Sequence, residues 1–146
     1  MTDEEMKSSD ESYAYVDGSY NSNLGLYGYG GFLVVNEQKY IIQGAGSAPE
    51  LVSMRNVAGE ILGAMKAVEL AKELNVKTLH IYYDYAGIEQ WAIGAWKCNK
   101  YGTQQYKKFM DEAQKSINLV FHKVKGHAGI EGNELADKLA KEAVGV

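Results

Sequence analysis

Apolar and polar positions along the chain alternate between two periods, one suited to strands and one to helices. From Tyr13 to Tyr20 the residues are mostly apolar and aromatic, which predicts a first strand. The glycine-rich stretch Gly25 to Gly31 then leads into Gly-Phe-Leu-Val-Val at 31–35, a buried strand. Asn36-Glu37 reads as a hairpin turn before a third strand from Lys39 to Gly44. Beyond Pro49 the period becomes helical, with Val57, Ile61, Ala64, Val68 and Ala71 spaced by three and four over Met54 to Leu74. Gly59 and Gly63 each cost this helix roughly 1 kcal/mol relative to alanine, which implies a face lying close against another backbone. Thr78 to Tyr83 is a continuous apolar run ending at Asp84, the mark of a buried strand in a parallel arrangement. A short helix over Gly87 to Trp96, a helix over Thr103 to Lys115 and a strand over Leu119 to Val124 follow. The last helix begins between Glu131 and Asn133 and carries Leu135, Leu139 and Ala143 on one face. The order βββαβααβα predicts an α/β fold: a three-strand antiparallel meander plus two parallel strands in one mixed five-stranded sheet, with helices packed on it.

Length and composition add bounds to this picture. At 146 residues the chain is one ordinary domain, expected over 13–146, after a polar, acidic stretch at 1–12 that reads as a disordered tail or linker stub. The single Cys98 excludes an internal disulfide framework. No apolar run approaches the roughly 18 residues of a membrane span, and the N-terminus lacks a signal-peptide core, so a cytoplasmic monomer without a membrane partner is expected. The net charge of −4 by its sum argues against a nucleic-acid partner, but its distribution matters more. Asp3, Glu4, Glu5, Asp10 and Glu11 crowd the first twelve residues, whereas Lys97, Lys100, Lys107, Lys108, Lys115, Lys123 and Lys125 stand against only Asp111 and Glu112 later on. That later stretch forms a modest basic patch.

Four carboxylates fall where chemistry can gather them. Asp17 interrupts the first strand before Gly18, Glu60 lies among apolar neighbours in the first long helix, Asp84 ends the fourth strand, and Asp137 is in the last helix. Sites in open α/β sheets form beyond the carboxyl ends of parallel strands where strand order reverses, so adjacent first and fourth strands would set Asp17 beside Asp84. Clustered acids raise one another's pKa, and a divalent cation relieves the repulsion. All-oxygen ligands suit Mg²⁺ or Mn²⁺, and no Cys/His cluster has zinc spacing. Two such ions would serve phosphodiester hydrolysis.

These residues lie in motifs that resemble type 1 ribonuclease H over about Tyr13 to Ala143. The motifs are Tyr-Val-Asp-Gly-Ser at 15–19, Asn-Val-Ala-Gly-Glu at 56–60, Ile-Tyr-Tyr-Asp at 81–84, Val-Lys-Gly-His-Ala-Gly at 124–129 and Gly-Asn-Glu-Leu-Ala-Asp at 132–137. The resemblance implies the ribonuclease H-like fold and a two-metal endonuclease that hydrolyses the RNA strand of RNA–DNA hybrids, leaving 5′-phosphate and 3′-hydroxyl ends. Asp17, Glu60, Asp84 and Asp137 would be the metal-binding and catalytic acids, with two Mg²⁺ ions or Mn²⁺ in their place. His127 would help activate water or release product. Asn23, Asn56 and Arg55 match positions that contact the hybrid, and Trp91, Trp96, Lys97 and Lys100 resemble a basic protrusion that grips the DNA strand.

The chain also departs from the family pattern. Tyr85 and Ala86 replace a serine and a glutamine after the third acid, Asp84 to Trp91 is one helical turn short, and the protrusion is abbreviated. Relatives shortened in this way often follow an N-terminal hybrid-binding module, so such a module is a candidate partner domain outside this chain. Two other readings compete: a catalytically silent hybrid- or RNA-binding module, and a same-fold nuclease acting on DNA or double-stranded RNA.

Overall fold

The computed structural model describes residues 11–125 and 131–146. Five strands form one sheet in the order β3-β2-β1-β4-β5. They are β1 (Glu11–Asn21), β2 (Leu26–Val35), β3 (Gln38–Gly46), β4 (Thr78–Tyr83) and β5 (Asn118–Lys123). The first three form an antiparallel meander, while β4 joins β1 and β5 joins β4 in parallel. The described helices are α1 (Pro49–Val52), α2 (Asn56–Glu73), α3 (Gly87–Ala92), α4 (Tyr101–Ala113) and α5 (Glu131–Val144). The expected mixed sheet is thus present, with α1 as an unexpected single turn begun by Pro49.

Differences from the expected boundaries have local causes. Strand β1 starts two residues early because Glu11 and Ser12 pair with Thr78 and Leu79 of β4. The meander turn is where expected, with Asn36 and Glu37 both at positive φ (51° and 67°), as a tight two-residue hairpin requires. Strand β2 extends back through the glycine-rich stretch, which is therefore not a loop. On Gly28 a Cβ would lie 2.6 Å from Val144, and on Gly30 it would strike the α5 backbone at Leu139 and Ala140. These glycines let α5 lie on the sheet.

Helix α2 covers the opposite face with Ala58, Ile61, Ala64, Ala67, Val68 and Ala71, all buried against a core that includes Ala14, Val16, Leu33, Leu79 and Ile81. Its closest approach is at Gly59, whose Cβ position is taken by the Gly28 carbonyl, with the Gly18 Cα 3.2 Å away. A Cβ on Gly18 would in turn strike the backbone of Asn56 and Glu60. Two glycines facing each other across the helix–strand contact bring α2 down onto β1, and that contact sets Glu60 beside Asp17.

Candidate active site

Asp17 lies two residues beyond Tyr15, the last β1 residue that pairs with β4, while Asp84 directly follows β4, so parallel pairing brings the two acids to one end of the sheet. A 2.6 Å hydrogen bond from the Val124 N–H to the Tyr83 carbonyl ties down the chain just before Asp84. Glu60 reaches the same point from α2. One carboxylate oxygen from each of Asp17, Glu60 and Asp84 lies within 4.8 Å of the others, the one group of this kind among the described residues.

The cluster is largely closed off from water. Glu60 is 2% exposed and Asp17 8%, while Asp84 is half-buried. Burial first, and then the Asp84 carboxylate, push the Asp17 pKa up to about 7, with Asp137 adding to the rise and the Gly18 N–H, 2.8 Å away, opposing it. Burial also holds Glu60 well above the usual carboxylate range, assisted by Asp84 and Asp17. Glu60 Oε1 is buried with no hydrogen-bond partner. A buried carboxylate oxygen left unpaired is costly, and hard divalent cations take such ligands. Three converging carboxylates and this orphaned oxygen fit a divalent ion.

Asp137 stands at the rim rather than within the close group. It lies near enough to Asp17 to raise that residue's pKa, while its Oδ2 pairs with Lys141 at 3.0 Å. Lys141 was not among the expected site residues, although its place four residues after Asp137 on one helix was the available signal. His127 lies outside the described residues. Asn23, Arg55 and Asn56 are exposed, the last two at the N-terminal end of α2 close to Glu60. Trp91 is half-buried and Trp96 41% exposed. Trp91, Lys97 and Lys100 line a cleft of about 330 Å³ with Tyr85, Asn99 and Thr103.

The family model for RNase H matches residues 9–145. The chain belongs to the RNase H family. A ribonuclease H of Francisella philomiragia is 31% identical over 141 residues, covering 90% of this chain and 89% of that protein. One of Cupriavidus metallidurans is 32% identical over 138 residues, covering 89% and 92%. Among solved structures, RNase H1 of Halobacterium salinarum superimposes with a TM-score of 0.71 at 24% identity, covering 92% of this chain and 98% of that one. The N-terminal RNase H domain of Mycobacterium tuberculosis Rv2228c does so with a TM-score of 0.74 at 17% identity, covering 94% and 98%. This RNase H is therefore an enzyme of RNA-strand hydrolysis in RNA–DNA hybrids, from a family that uses divalent metal ions. No helix among its described residues is long and apolar enough to cross a membrane.

The acid cluster makes metal-free stability depend on pH. Asp17 has an ordinary pKa of 3.8 and a folded value of about 7, so the folded state binds more protons between those values. Stability is then greatest below the lower value and falls as pH rises through the higher one. In EDTA the melting temperature should drop between pH 5 and pH 8, with Asp17 contributing at most about 3 kcal/mol over that range. Asp17→Asn should flatten that dependence; equal slopes for the two proteins would contradict the coupling.

Proposed function

We propose that this RNase H cuts the RNA strand by a two-metal mechanism in which Asp17, Glu60, Asp84 and Asp137 hold two Mg²⁺ ions, with Mn²⁺ able to substitute. The observation that carries the reading is the close meeting of three carboxylates around the unpartnered Glu60 oxygen. Bound metal would supply an activated water and neutralise charge on the phosphodiester, giving 5′-phosphate and 3′-hydroxyl ends. The protein's part is positional. Asp17 lies close enough to both Asp84 and Asp137 for each to raise its pKa, so it would share in holding the ions with either of them. Glu60 is held by the Gly18–Gly59 contact, and Lys141 restrains Asp137 at the rim. We assign His127, ten residues before Asp137 in sequence, to water activation or product release.

The structure of LC11-RNase H1 in complex with an RNA/DNA hybrid, at TM-score 0.68 and 16% identity, supports the same class of ligand here. Asn23, Asn56 and Arg55 would contact the hybrid near the cut, the asparagine amides serving as donor and acceptor to 2′-hydroxyls. Trp91, Trp96, Lys97 and Lys100 would hold the DNA strand through aromatic and phosphate contacts.

The deciding experiment is cleavage of a labelled RNA–DNA hybrid, duplex DNA and duplex RNA, each with Mg²⁺ and with EDTA. Cutting of the hybrid RNA alone, and only with metal, is the expected result; cutting in EDTA or of another duplex overturns the assignment. Metal should also stabilise the fold, since it binds where folding has gathered the acids. At tenfold excess over Kd, Mg²⁺ adds about 1.4 kcal/mol, or roughly 4 °C in Tm for a domain of this size. Glu60→Gln should abolish most of that rise in a thermal melt.

A further inference from the structure

Directly after Asp84 the chain builds a closed triangle of aromatic rings. Tyr85 leads into α3, its carbonyl accepting a hydrogen bond from the Ile88 N–H at 3.1 Å. Trp91 sits at the other end of that helix, and Gly94, at φ 80°, turns the chain back so that the Trp96 N–H reaches the Gln90 carbonyl at 3.1 Å. The ring centroids of Tyr85 and Trp91 are 5.6 Å apart, those of Tyr85 and Trp96 6.1 Å, and those of Trp91 and Trp96 5.7 Å. The last two pairs are near-perpendicular edge contacts at 74° and 79°, a favoured aromatic geometry. The cluster is tight: a Cβ on Gly87 would fall 2.7 Å from Trp91 and closer still to Tyr85. Tyr85 also lines the aromatic and lysine cleft between α2 and α4, next in sequence to Asp84.

We infer that Tyr85 is a positioning residue that fixes the exposed Trp96, and the cleft it borders, at a set offset from the acid cluster, and so sets how tightly the second strand of the hybrid is held. The inference rests on the proposed role of Trp91 and Trp96 in strand contact. Its reasoning is mechanical. The segment from Asp84 to Trp91 is short, α3 is a helix of only six residues, and a helix that short has little stability of its own. The large ring of Tyr85 supplies packing that anchors both tryptophans to the end of β4. A small polar residue there would leave Trp96 attached chiefly through one backbone hydrogen bond and its contact with Trp91. The same placement makes Tyr85 a specificity determinant for strand grip rather than for bond cleavage.

Trp91 and Trp96 are the only tryptophans, so tryptophan fluorescence excited selectively at about 295 nm, where the eleven tyrosines hardly absorb, reports on this cluster. The test compares the wild-type chain with Tyr85→Ser, Tyr85→Phe and Tyr85→Leu. Hybrid binding is measured by fluorescence titration in EDTA and cleavage in Mg²⁺, with melting temperature as a folding control. Tyr85→Ser should shift tryptophan emission to the red and raise Kd and KM for the hybrid roughly tenfold, the scale of one lost stacking contact, with kcat within about threefold. Tyr85→Phe should behave as wild type, because the contacts are made by the ring. Tyr85→Leu keeps apolar volume and reads the same quantities should Tyr85→Ser fail to fold. Unchanged emission and Kd, or a fall in kcat at constant KM, overturns the inference. If the wild-type tryptophans do not respond to hybrid although the enzyme cuts it, the strand-contact reading itself fails; unequal responses of the variants test Tyr85 separately.

Discussion

Asp84→Asn should lower the rate of hybrid cleavage by about a thousandfold or more, a loss of roughly 4 kcal/mol in transition-state stabilisation. Asparagine keeps the shape of the side chain but removes the anionic charge, and with it much of the affinity for a hard cation. The expected companion effect runs the other way. Asp84 is the largest charged contributor to the raised pKa of both Asp17 and Glu60, so neutralising it relieves repulsion in the metal-free protein. The variant should therefore melt at a higher temperature in EDTA and lose much of its Mg²⁺-dependent rise. Hybrid binding in EDTA should remain measurable, because the proposed strand contacts lie elsewhere. Single-turnover cleavage, thermal melts and a binding titration check the three parts. Full activity in the variant would remove Asp84 from the chemistry; a lower metal-free Tm would mean that Asp84 stabilises the fold rather than straining it.

Gly59→Ala should destabilise the fold by about 3 kcal/mol or more, which lowers Tm by roughly 10 °C. Two effects oppose each other here. Alanine favours a helix interior by about 1 kcal/mol over glycine. Against that, the new methyl would occupy the place of the Gly28 carbonyl, a backbone atom of a central strand that cannot swing aside. Steric overlap wins, and α2 must move away from β1. Because Glu60 is the next residue, the displacement should also open the acid cluster and reduce cleavage. Gly63→Ala provides the contrast. Its nearest new contacts are Tyr29 Cβ at 3.3 Å and Val16 Cβ at 3.5 Å, so packing and propensity nearly cancel and the change should stay within about 1 kcal/mol. Denaturant or thermal unfolding of the two variants decides the matter, and equal losses would contradict the close-contact account.

Much of the fold was legible because local pattern and long-range pairing agree in this chain. The period of three and four in α2 follows the buried stripe Ile61, Ala64, Val68 and Ala71. The apolar run from Thr78 to Tyr83 became a strand flanked in parallel on both sides. Gly25 to Gly31 was harder to read. Glycine-rich sequence usually marks turns, and only the approach of α5 to Gly28 and Gly30 explains why a strand here lacks side chains. The two glycines of α2 looked equivalent in sequence, yet a Cβ on Gly59 would overlap backbone, whereas one on Gly63 would first meet side-chain carbons, the nearest a tight 3.3 Å away.

The candidate site divides in the same way. Asp17, Glu60 and Asp84 could be named from sequence because each is a carboxylate at odds with its apolar surroundings, and burial of charge without a partner is too costly to be incidental. Their separation, the unpaired Glu60 oxygen and the looser place of Asp137 beside Lys141 depend on how α2 and α5 cross the sheet, which no local pattern encodes. Tyr85 shows the limit most plainly. In sequence it was a departure from a family motif, and the turn at Gly94 made it one corner of a ring triangle. By itself the sequence determined the elements, the sheet's composition and the identities of the acids, because periodicity and the cost of buried charge act locally. Tertiary structure alone decided distances and partners, because close approach between α2, α5 and the sheet is set by where side chains are missing as much as by where they are present.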